Sequence, residues 1–430
     1  MSKFQTILLG IFVVFAVGGV IVFSSFKGGT ENIPSLVIWG TLEKTPMDEF
    51  LNAILTANGL EIKLQYVQKR PESLYQDYLE AIAARRGPDI LLMSQDQILK
   101  FRGKLGTIPY GAYPQKDFKD TFIQQAELYL DPAGITAFPF SVDPLVMYWN
   151  RDMFTNAGIS SPPKQWNEFL SLSSKLTDRD AATNITKSAV ALGEAKNISH
   201  AKEILSLLMF QTGNSVTAIG NVGVESVLTN NPTNQQLPPT AGALRFYTEF
   251  ANPVKEVYSW NKSLPNSTVY FTSNRLGIYF GFASEAELIR QRNPNLNWGV
   301  TTVPQADPRL GLVNSTYGRM YGMSLSATSP NIQYASSIVS LLTSKDALTL
   351  WSQLSKLPSV RRDSLGIVAN DSAGYVFSIS ALWSKGWLDP DYIRTRTIFN
   401  DMIENVTNGR MPVENALSDA HNKIQNILGK

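Results

Sequence analysis

The stretch "SLVIWGTLEKTPMDEFLNAILTANGLEIKLQYV" (residues 35–67) contains a strand, a helix and a second strand in succession. The opening SLVIWG is a short apolar run, which predicts a buried strand. The helix is predicted to begin at Thr45 and Pro46, because threonine caps helices and proline fits the first helical turn. Gly59 suits the left-handed position that ends a helix. Glu61–Val67 alternates in polarity like a strand.

The same alternation continues directly afterwards. Pro71–Gly87 reads as a second helix and Pro88–Ser94 as a third strand. Strands that alternate with helices predict an α/β fold with a parallel sheet and right-handed crossovers. Ligands of such sheets bind beyond the carboxyl ends of the strands. The loops Gly40–Lys44, Gln68–Arg70 and Gln95–Gln97 are therefore expected to converge on a site.

Composition excludes several classes of function. The chain has 430 residues, enough for two domains. Its 38 Lys and Arg against 36 Asp and Glu include Lys3 and Lys27 at the N-terminal segment, so the remaining body is formally neutral. A neutral body lacks the basic footprint that nucleic acids require. The absence of cysteine excludes disulfides, thiolate metal sites and a cysteine nucleophile.

The N-terminal segment indicates export. Phe4–Phe26 carries no charge, and its apolar core, Ile7–Phe23, is at the lower limit of length for a membrane-spanning helix. Lys3 precedes it, as in an export signal. We expect residues 1–33 to form a signal-anchor helix and a flexible tether that hold the protein at the extracytoplasmic face of the cell membrane. The alternative is a cleaved signal peptide and a secreted or periplasmic protein.

Catalytic patterns are scarce. The two histidines, His200 and His421, have polar neighbours in helical contexts and are expected at the surface. No nucleophile elbow, phosphate-binding loop, zinc or calcium motif occurs. A glycosidase needs two carboxylates facing one bond, an arrangement that a sequence by itself does not reveal. We therefore expect no enzyme activity, no cofactor and no metal.

Several segments, in their order along the chain, are similar to a known family. They include "GPDILLMSQD", "AFPFSVDPLVMYWNRDMFTNAGISSPPKQWNEF", "YGMSLSATSPNIQYASSIVSLLTS" and "NGRMPVENALSDAHNKIQNIL". Together they resemble the extracellular solute-binding proteins of ABC importers, family 1, in particular the maltose-binding-like, sugar-oriented cluster. The resemblance covers nearly all of residues 35–430 and depends on the order and spacing of the segments.

The resemblance implies a two-lobed fold of the periplasmic-binding-protein type, with a ligand cleft between discontinuous domains. The chain would first cross between the lobes near Ser141–Asp143. The lobes and the later crossings are expected at residues 34–141 and 302–350 for lobe one, 142–299 and 357–430 for lobe two, and 300–301 and 351–356 for the crossings.

The resemblance also implies the partners. The protein would capture a small polar solute, foremost an oligosaccharide, and deliver it as a monomer to ABC permease subunits on other chains. The N-terminal helix would supply the membrane contact, and no nucleic acid is expected. Alternatives are a polyamine or a glycerophosphodiester as the solute, or a sensory or adhesive receptor that does not feed a transporter.

Sugar sites use planar polar side chains and aromatic platforms. The resemblance makes Asp143, in the first crossing strand, the foremost candidate, and Pro139 and Pro144 restrict the backbone on either side of it. The resemblance implies ligand contacts from both lobes and the crossing strand, at Trp39, Glu43, Lys44, Asp96, Asp143, Phe282, Arg319, Tyr321, Trp383 and Trp387.

Overall fold

A computed structural model describes residues 35–220, 223–232, 237–366 and 372–429. The predicted anchor at Ile7–Phe23 lies outside these residues. Within the part of the chain that is described, no helix is both long and apolar enough to cross a membrane.

The strands of the described chain are, in order, β1 (Ser35–Gly40), β2 (Lys63–Gln68), β3 (Ile90–Ser94), β4 (Leu105–Gly106), β5 (Leu130–Asp131), β6 (Gly134–Ile135), β7 (Phe138–Asn150), β8 (Asp178–Arg179), β9 (Ile185–Val190), β10 (Thr217–Gly220), β11 (Gly223–Ser226), β12 (Leu276–Phe282), β13 (Trp298–Thr301), β14 (Thr316–Ser326) and β15 (Ser384–Lys385).

The α-helices of the same ranges are α1 (Lys44–Ala57), α2 (Leu74–Ala83), α3 (Gln95–Ile98), α4 (Gln115–Thr121), α5 (Arg151–Asn156), α6 (Phe169–Leu176), α7 (Ala201–Phe210), α8 (Pro239–Glu249), α9 (Ser267–Thr272), α10 (Glu285–Arg292), α11 (Ile332–Leu342), α12 (Lys345–Ser355), α13 (Ser372–Leu382), α14 (Tyr392–Thr407) and α15 (Val413–Leu428).

The N-terminal strands form the predicted parallel sheet. β1 pairs in parallel with β2 on one side and with β3 on the other. α1 buries its apolar stripe, including Met47 and Phe50, in the core beside them. The helix begins at Lys44, earlier than the predicted start at Thr45, so Pro46 lies within its first turn. Proline is tolerated there because the first N–H groups of a helix have no intrahelical acceptor.

One long strand joins the two halves of the molecule. The first part of β7 pairs antiparallel with β14, from Phe138 to Pro144. Its second part, from Leu145 onward, pairs with β12 and β13 instead. The sheet order is β2-β1-β3-β14-β7-β12-β9-β8, with β13 on β7, and β4 and β15 on β14. The α/β class predicted from the sequence is confirmed.

Two hydrophobic cores lie on either side of this junction. We call the cluster that contains β1 and Val142 the first core, and the cluster that contains Leu145 the second core. β14 also changes core, because Tyr317 packs in the second core and Met320 in the first. The chain thus passes between the cores inside two neighbouring strands.

The packing differs from two predicted boundaries. The sequence placed 302–350 with lobe one, yet Val303 packs in the second core. The reason is that Val303 closely follows β13, which remains paired with the second part of β7. The return to the first core therefore occurs within β14 and not at 300–301. Likewise Val360, expected with lobe two, packs in the first core.

Candidate functional site

A cavity of about 230 Å³ lies between segments of the first and second cores. Its wall includes Thr41 after β1, the region around α3, and the start of α14. Two of the loops expected to converge, those after β1 and β3, contribute to it. The lining residues are Thr41, Pro71, Glu72, Tyr75, Ser94, Asp96, Gln97, Lys100, Phe101, Arg319, Tyr321, Asp391, Tyr392, Ile393 and Arg396.

Asp96 enters this cavity from the first core. It is buried at the start of α3, and the Ser94 hydroxyl donates a hydrogen bond to its carboxylate. The adjacent Gln95 fixes the loop to β14: its amide donates to the Gly318 carbonyl over 3.2 Å, and its oxygen accepts from the Met320 N–H over 2.6 Å. These bonds place Asp96 next to the β14 side chains.

β14 presents Arg319 and Tyr321 on one face, since alternate residues of a strand point the same way. The Arg319 guanidinium lies 4.2 Å from the centroid of the Phe282 ring, and its Nη2 is 3.8 Å from the Glu203 carboxylate. Burial by itself would lower the pKa of Arg319, but Tyr321 and Glu203 outweigh it and raise that pKa. Arg319 is therefore a permanent cation.

Tyr321 stays a neutral phenol. Burial raises its pKa to about 12, although the Arg319 cation opposes the shift. A neutral phenol both donates and accepts hydrogen bonds. Together with the Arg319 donors and the Asp96 acceptor, it gives the cavity the mixture of groups that complements a hydroxyl-rich molecule.

Asp143 lies opposite Arg319 in the β7–β14 register. Its Oδ1 accepts from the Ser284 N–H over 3.0 Å, and its Oδ2 accepts from the Ser284 hydroxyl over 2.6 Å. Burial raises the pKa of Asp143 to about 6, although both Ser284 bonds and the nearby Arg319 pull it downward. Ser284 thus orients this carboxylate.

The structure places the other predicted residues away from the cavity wall. Trp39 is nearly buried, with Lys69 Nζ 4.0 Å from its ring centroid. Glu43 and Lys44 are exposed, and Lys44 pairs with Asp48.

Two tryptophans of the C-terminal region are also outside the wall. Trp387 is buried in the second core, where it stacks on Phe399 at 6.1 Å. Trp383 is half-buried, and its carbonyl accepts a hydrogen bond from the Thr316 N–H over 3.0 Å. Asp96, Arg319 and Tyr321 thus line the cavity, with Asp143 and Phe282 next to Arg319.

Several residues of the site were not predicted from the sequence. They are Lys100 and the start of α14, with Asp391, Tyr392 and Arg396. Lys202, also unpredicted, lies beneath Tyr392, with its Nζ 4.2 Å from the ring centroid. Lys202 and Glu203 are buried at the start of a mainly apolar helix. Two adjacent charges in such a helix are a feature of the sequence that could have indicated a functional site there, because charged residues are rarely buried without a partner.

His200 is part of the same region rather than a surface residue. It contacts the Glu285 carboxylate, and its ring meets the edge of Phe282 at 4.8 Å. Burial would lower the pKa of His200, but Glu285 outweighs it and raises the pKa. Phe282 therefore lies between His200 and Arg319.

A larger cavity, of about 360 Å³, lies between α10, α13 and residues 352–358. Three charged residues, Glu287, Arg290 and Lys356, line it, whereas six charged residues line the smaller cavity, among them the predicted Asp96 and Arg319. No group of three or more His, Asp or Glu residues in the described ranges is arranged to hold a metal ion. We therefore take the smaller cavity as the candidate site.

Known proteins resemble the chain at the levels of sequence and fold. The family model for bacterial extracellular solute-binding proteins matches residues 43–348. A protein of Brucella abortus (strain 2308) that is named as a binding protein is 22% identical over 316 residues, covering 70% of this chain and 69% of its own length.

Solved structures share the two-lobed fold. A cyclo/maltodextrin-binding protein complexed with maltotetraose has a TM-score of 0.73 at 15% identity, covering 93% of this chain and 98% of its own. An ABC substrate-binding protein of Listeria monocytogenes in complex with cycloalternan has a TM-score of 0.70 at 14% identity, with coverage of 93% and 100%. The two-lobed fold implied by the sequence is therefore confirmed.

A third structure agrees with these two. The maltose/maltodextrin-binding domain from Bdellovibrio bacteriovorus bound to maltotriose has a TM-score of 0.67 at 14% identity, covering 92% of this chain and all of its own. The family model covers well over half of the sequence, and it describes binding proteins rather than enzymes. The chain therefore belongs to the bacterial extracellular solute-binding proteins.

Proposed function

We propose that the protein captures a neutral carbohydrate in the cavity between its lobes and delivers it to an ABC permease on separate chains. One observation carries the proposal: Asp96, Arg319 and Tyr321 meet the Tyr392 ring in one cavity between the two cores. Carboxylates and guanidinium groups bind hydroxyls in several directions, and an aromatic ring packs against the apolar face of a sugar.

The charge balance of the wall supports a neutral solute over the two charged alternatives. The acidic lining residues are Glu72, Asp96 and Asp391, and the basic ones are Lys100, Arg319 and Arg396. A polyamine site needs an excess of carboxylates, and a glycerophosphodiester site needs an excess of cations. Equal numbers of acidic and basic residues give the wall no net charge that would favour a polyamine or a glycerophosphodiester.

The related structures support the carbohydrate class. Their ligands are maltotetraose, cycloalternan and maltotriose, and two further similar structures hold α-D-tagatose or mannotriose. The range runs from a single sugar to a tetrasaccharide. The size of the solute for this chain must therefore come from its own cavity.

The membrane arrangement is part of the same proposal. We infer that residues 1–33 anchor the protein on the outer face of the membrane, next to its permease. Protein from its own host would then stay with membranes after a high-salt wash and leave only with detergent. Soluble protein that begins near Ser25 would indicate a cleaved signal peptide instead.

Calorimetric titration of the purified full chain tests the solute class. The probes are glucose, tagatose, maltose, maltotriose and mannotriose, with spermidine and glycerophosphocholine as charged competitors. We expect saturable binding of at least one neutral sugar and a higher melting temperature in its presence. Binding of spermidine or glycerophosphocholine alone would refute the carbohydrate proposal.

A further inference from the structure

An ion pair bridges the two walls of the cavity. Lys100 follows α3, next to the buried Phe101 of the first core. Asp391 is the N-cap of α14, whose Ile398 and Phe399 pack in the second core. The Lys100 ammonium donates to Asp391 Oδ2 over 2.9 Å, and both residues line the cavity.

The pair is oriented from both sides. Asp391 Oδ1 caps α14 by accepting from the N–H groups of Ile393 over 3.1 Å and Arg394 over 3.2 Å, which leaves Oδ2 for the lysine. The Lys100 ammonium also lies 5.5 Å from the Tyr75 ring centroid. Each partner is therefore oriented by contacts on its own side of the cavity.

Asp391 is ionised at neutral pH. Partial burial would raise the pKa of Asp391, but hydrogen bonds from Lys100 and from the Arg394 N–H outweigh it and lower that pKa. The side chains are 34% and 18% exposed, so water and salt reach the pair. Such a contact breaks and forms easily, unlike a buried ion pair.

The size of the cavity gives the pair a consequence for binding. With the bridge intact the space is about 230 Å³, below the roughly 300–1,000 Å³ usual for ligand pockets. It suits a single sugar ring and little more. Lys100 and Asp391 both line this space, so a longer solute that extends between them separates the two charges.

We propose that the Lys100–Asp391 pair is a gate between the lobes, which keeps this part of the ligand-free cleft closed and restricts the length of the solute. The closing of the cleft follows from the contact alone, whereas the restriction on length rests on the proposed carbohydrate function. The gate contributes modestly, as a partly exposed pair does, and shifts the closed-to-open ratio about two- to fivefold.

Two substitutions separate the charge from the local structure. Asp391→Asn removes the negative charge and keeps a side-chain oxygen that caps α14. Lys100→Met removes the ammonium and keeps the length of the side chain. The matched control is Lys119→Met, because Lys119 and Glu127 form a 3.0 Å pair that lies entirely beside the first core.

Distances between spin labels test the closing of the cleft without any ligand. The chain has no native cysteine, so Ala84→Cys and Thr397→Cys, both exposed, place one label on each side of the cleft. Double electron–electron resonance is recorded on the detergent-solubilised full chain at about 0.05 M and 1 M salt.

We expect a short-distance population in the parent protein. It should fall about two- to fivefold when the parent is moved to high salt, and by a similar factor in each of the variants Lys100→Met and Asp391→Asn. The last two should no longer respond to salt, and Lys119→Met should behave as the parent. Identical distance distributions in the parent and both gate variants would overturn the proposal.

Titration of glucose, maltose and maltotriose tests the restriction on length. We expect Lys100→Met to raise the affinity for maltotriose relative to glucose about two- to fivefold. An unchanged ratio would overturn the restriction on length. If none of these or the other neutral sugars binds while the label distances shift as expected, the gate stands and the carbohydrate function fails.

Discussion

Two lysine–aspartate pairs, whose acids are two positions apart in the chain, serve different purposes. Lys202 and Asp389 approach to 2.6 Å with side chains that are 2% and 1% exposed. Lys100 and Asp391 approach to 2.9 Å with side chains that are 34% and 18% exposed. The chemistry is the same, and only burial and location differ.

The buried pair is tied into the second core. Lys202 also donates to the Thr395 hydroxyl over 3.1 Å, and that hydroxyl lies 2.7 Å from Asp389 Oδ2. The rings of Trp387 and Tyr392 lie over the lysine ammonium. Burial raises the pKa of Asp389, and the Lys202 cation offsets part of that shift. Every partner belongs to one side of the cleft.

The bridging pair, in contrast, connects elements of both cores and reaches solvent. A buried charge that loses its partner has no water to replace it, whereas an exposed charge is hydrated at once. The comparison teaches that burial, not the presence of an ion pair, decides whether such a contact supports the fold or is free to open. The predictions below test that difference.

The largest effect is expected from Lys202→Met. The substitution leaves Asp389 buried without its cation, which costs about 3–5 kcal/mol of unfolding free energy. Urea unfolding followed by tryptophan fluorescence measures it. The control Lys202→Met with Asp389→Leu removes both charges and should recover most of the loss. A loss below about 1 kcal/mol in the single variant would contradict a structural role for the buried pair.

The next effect concerns Asp143 and depends on pH. Its pKa of about 6 in the folded protein exceeds the ordinary 3.8, so folding favours the protonated form. The stability that Asp143 contributes is therefore fully present below pH 3.8 and is lost as the pH rises through about 6. Asp143→Asn keeps the shape, cannot ionise, and should be roughly 2–4 kcal/mol more stable than the parent at pH 8.

Thermal melts of Asp143→Asn and the parent between pH 4 and pH 8 test this prediction. Parallel melting profiles would show that Asp143 titrates normally. If Asp143 also accepts hydrogen bonds from the solute, the same variant should bind it about ten- to a hundredfold more weakly. Ser284→Ala is the control, since losing the hydroxyl donor should move the transition to higher pH.

The first core could be predicted because its signals are local. The strand at Ser35–Gly40 and the apolar face of α1 follow from runs and periodicity within a few residues. The division of β14 between the two cores could not be predicted, because Tyr317 and Met320 are both apolar and near neighbours, yet they enter different cores. A pattern within one strand does not reveal which core each residue faces.

The candidate site shows the same limit. Asp96 could be placed because it follows a strand end, where parallel sheets bind ligands. Glu43 and Lys44 were implied by the resemblance, in the loop after β1, but they lie where α1 begins and are exposed. The contacts Asp143–Ser284 and Lys100–Asp391 join residues 141 and 291 positions apart, and no local pattern encodes them.

A smaller effect on stability is expected from Lys100→Met, the counterpart of Lys202→Met. Asp391 would remain hydrated and would still cap α14, so the unfolding free energy should fall by less than about 1 kcal/mol. The difference from the parent should vanish at 1 M salt. Urea unfolding at both salt concentrations measures this. A loss as large as that of Lys202→Met would show that the bridge is structural and does not open.

The smallest effect is expected from Lys44→Met, a residue that the sequence placed in the site. Its ammonium pairs with Asp48 one helical turn away, and the two side chains are 55% and 42% exposed. Such a pair contributes about 0.2–0.5 kcal/mol to helix stability. Asp48→Asn breaks the same pair without touching the lysine, so both variants should lose similar stability. Solute affinity, measured by calorimetric titration, should stay within about twofold of the parent in both, because neither side chain lines the cavity. A tenfold loss in Lys44→Met alone would show that the site extends to the start of α1, beyond the wall formed by Asp96 and Arg319.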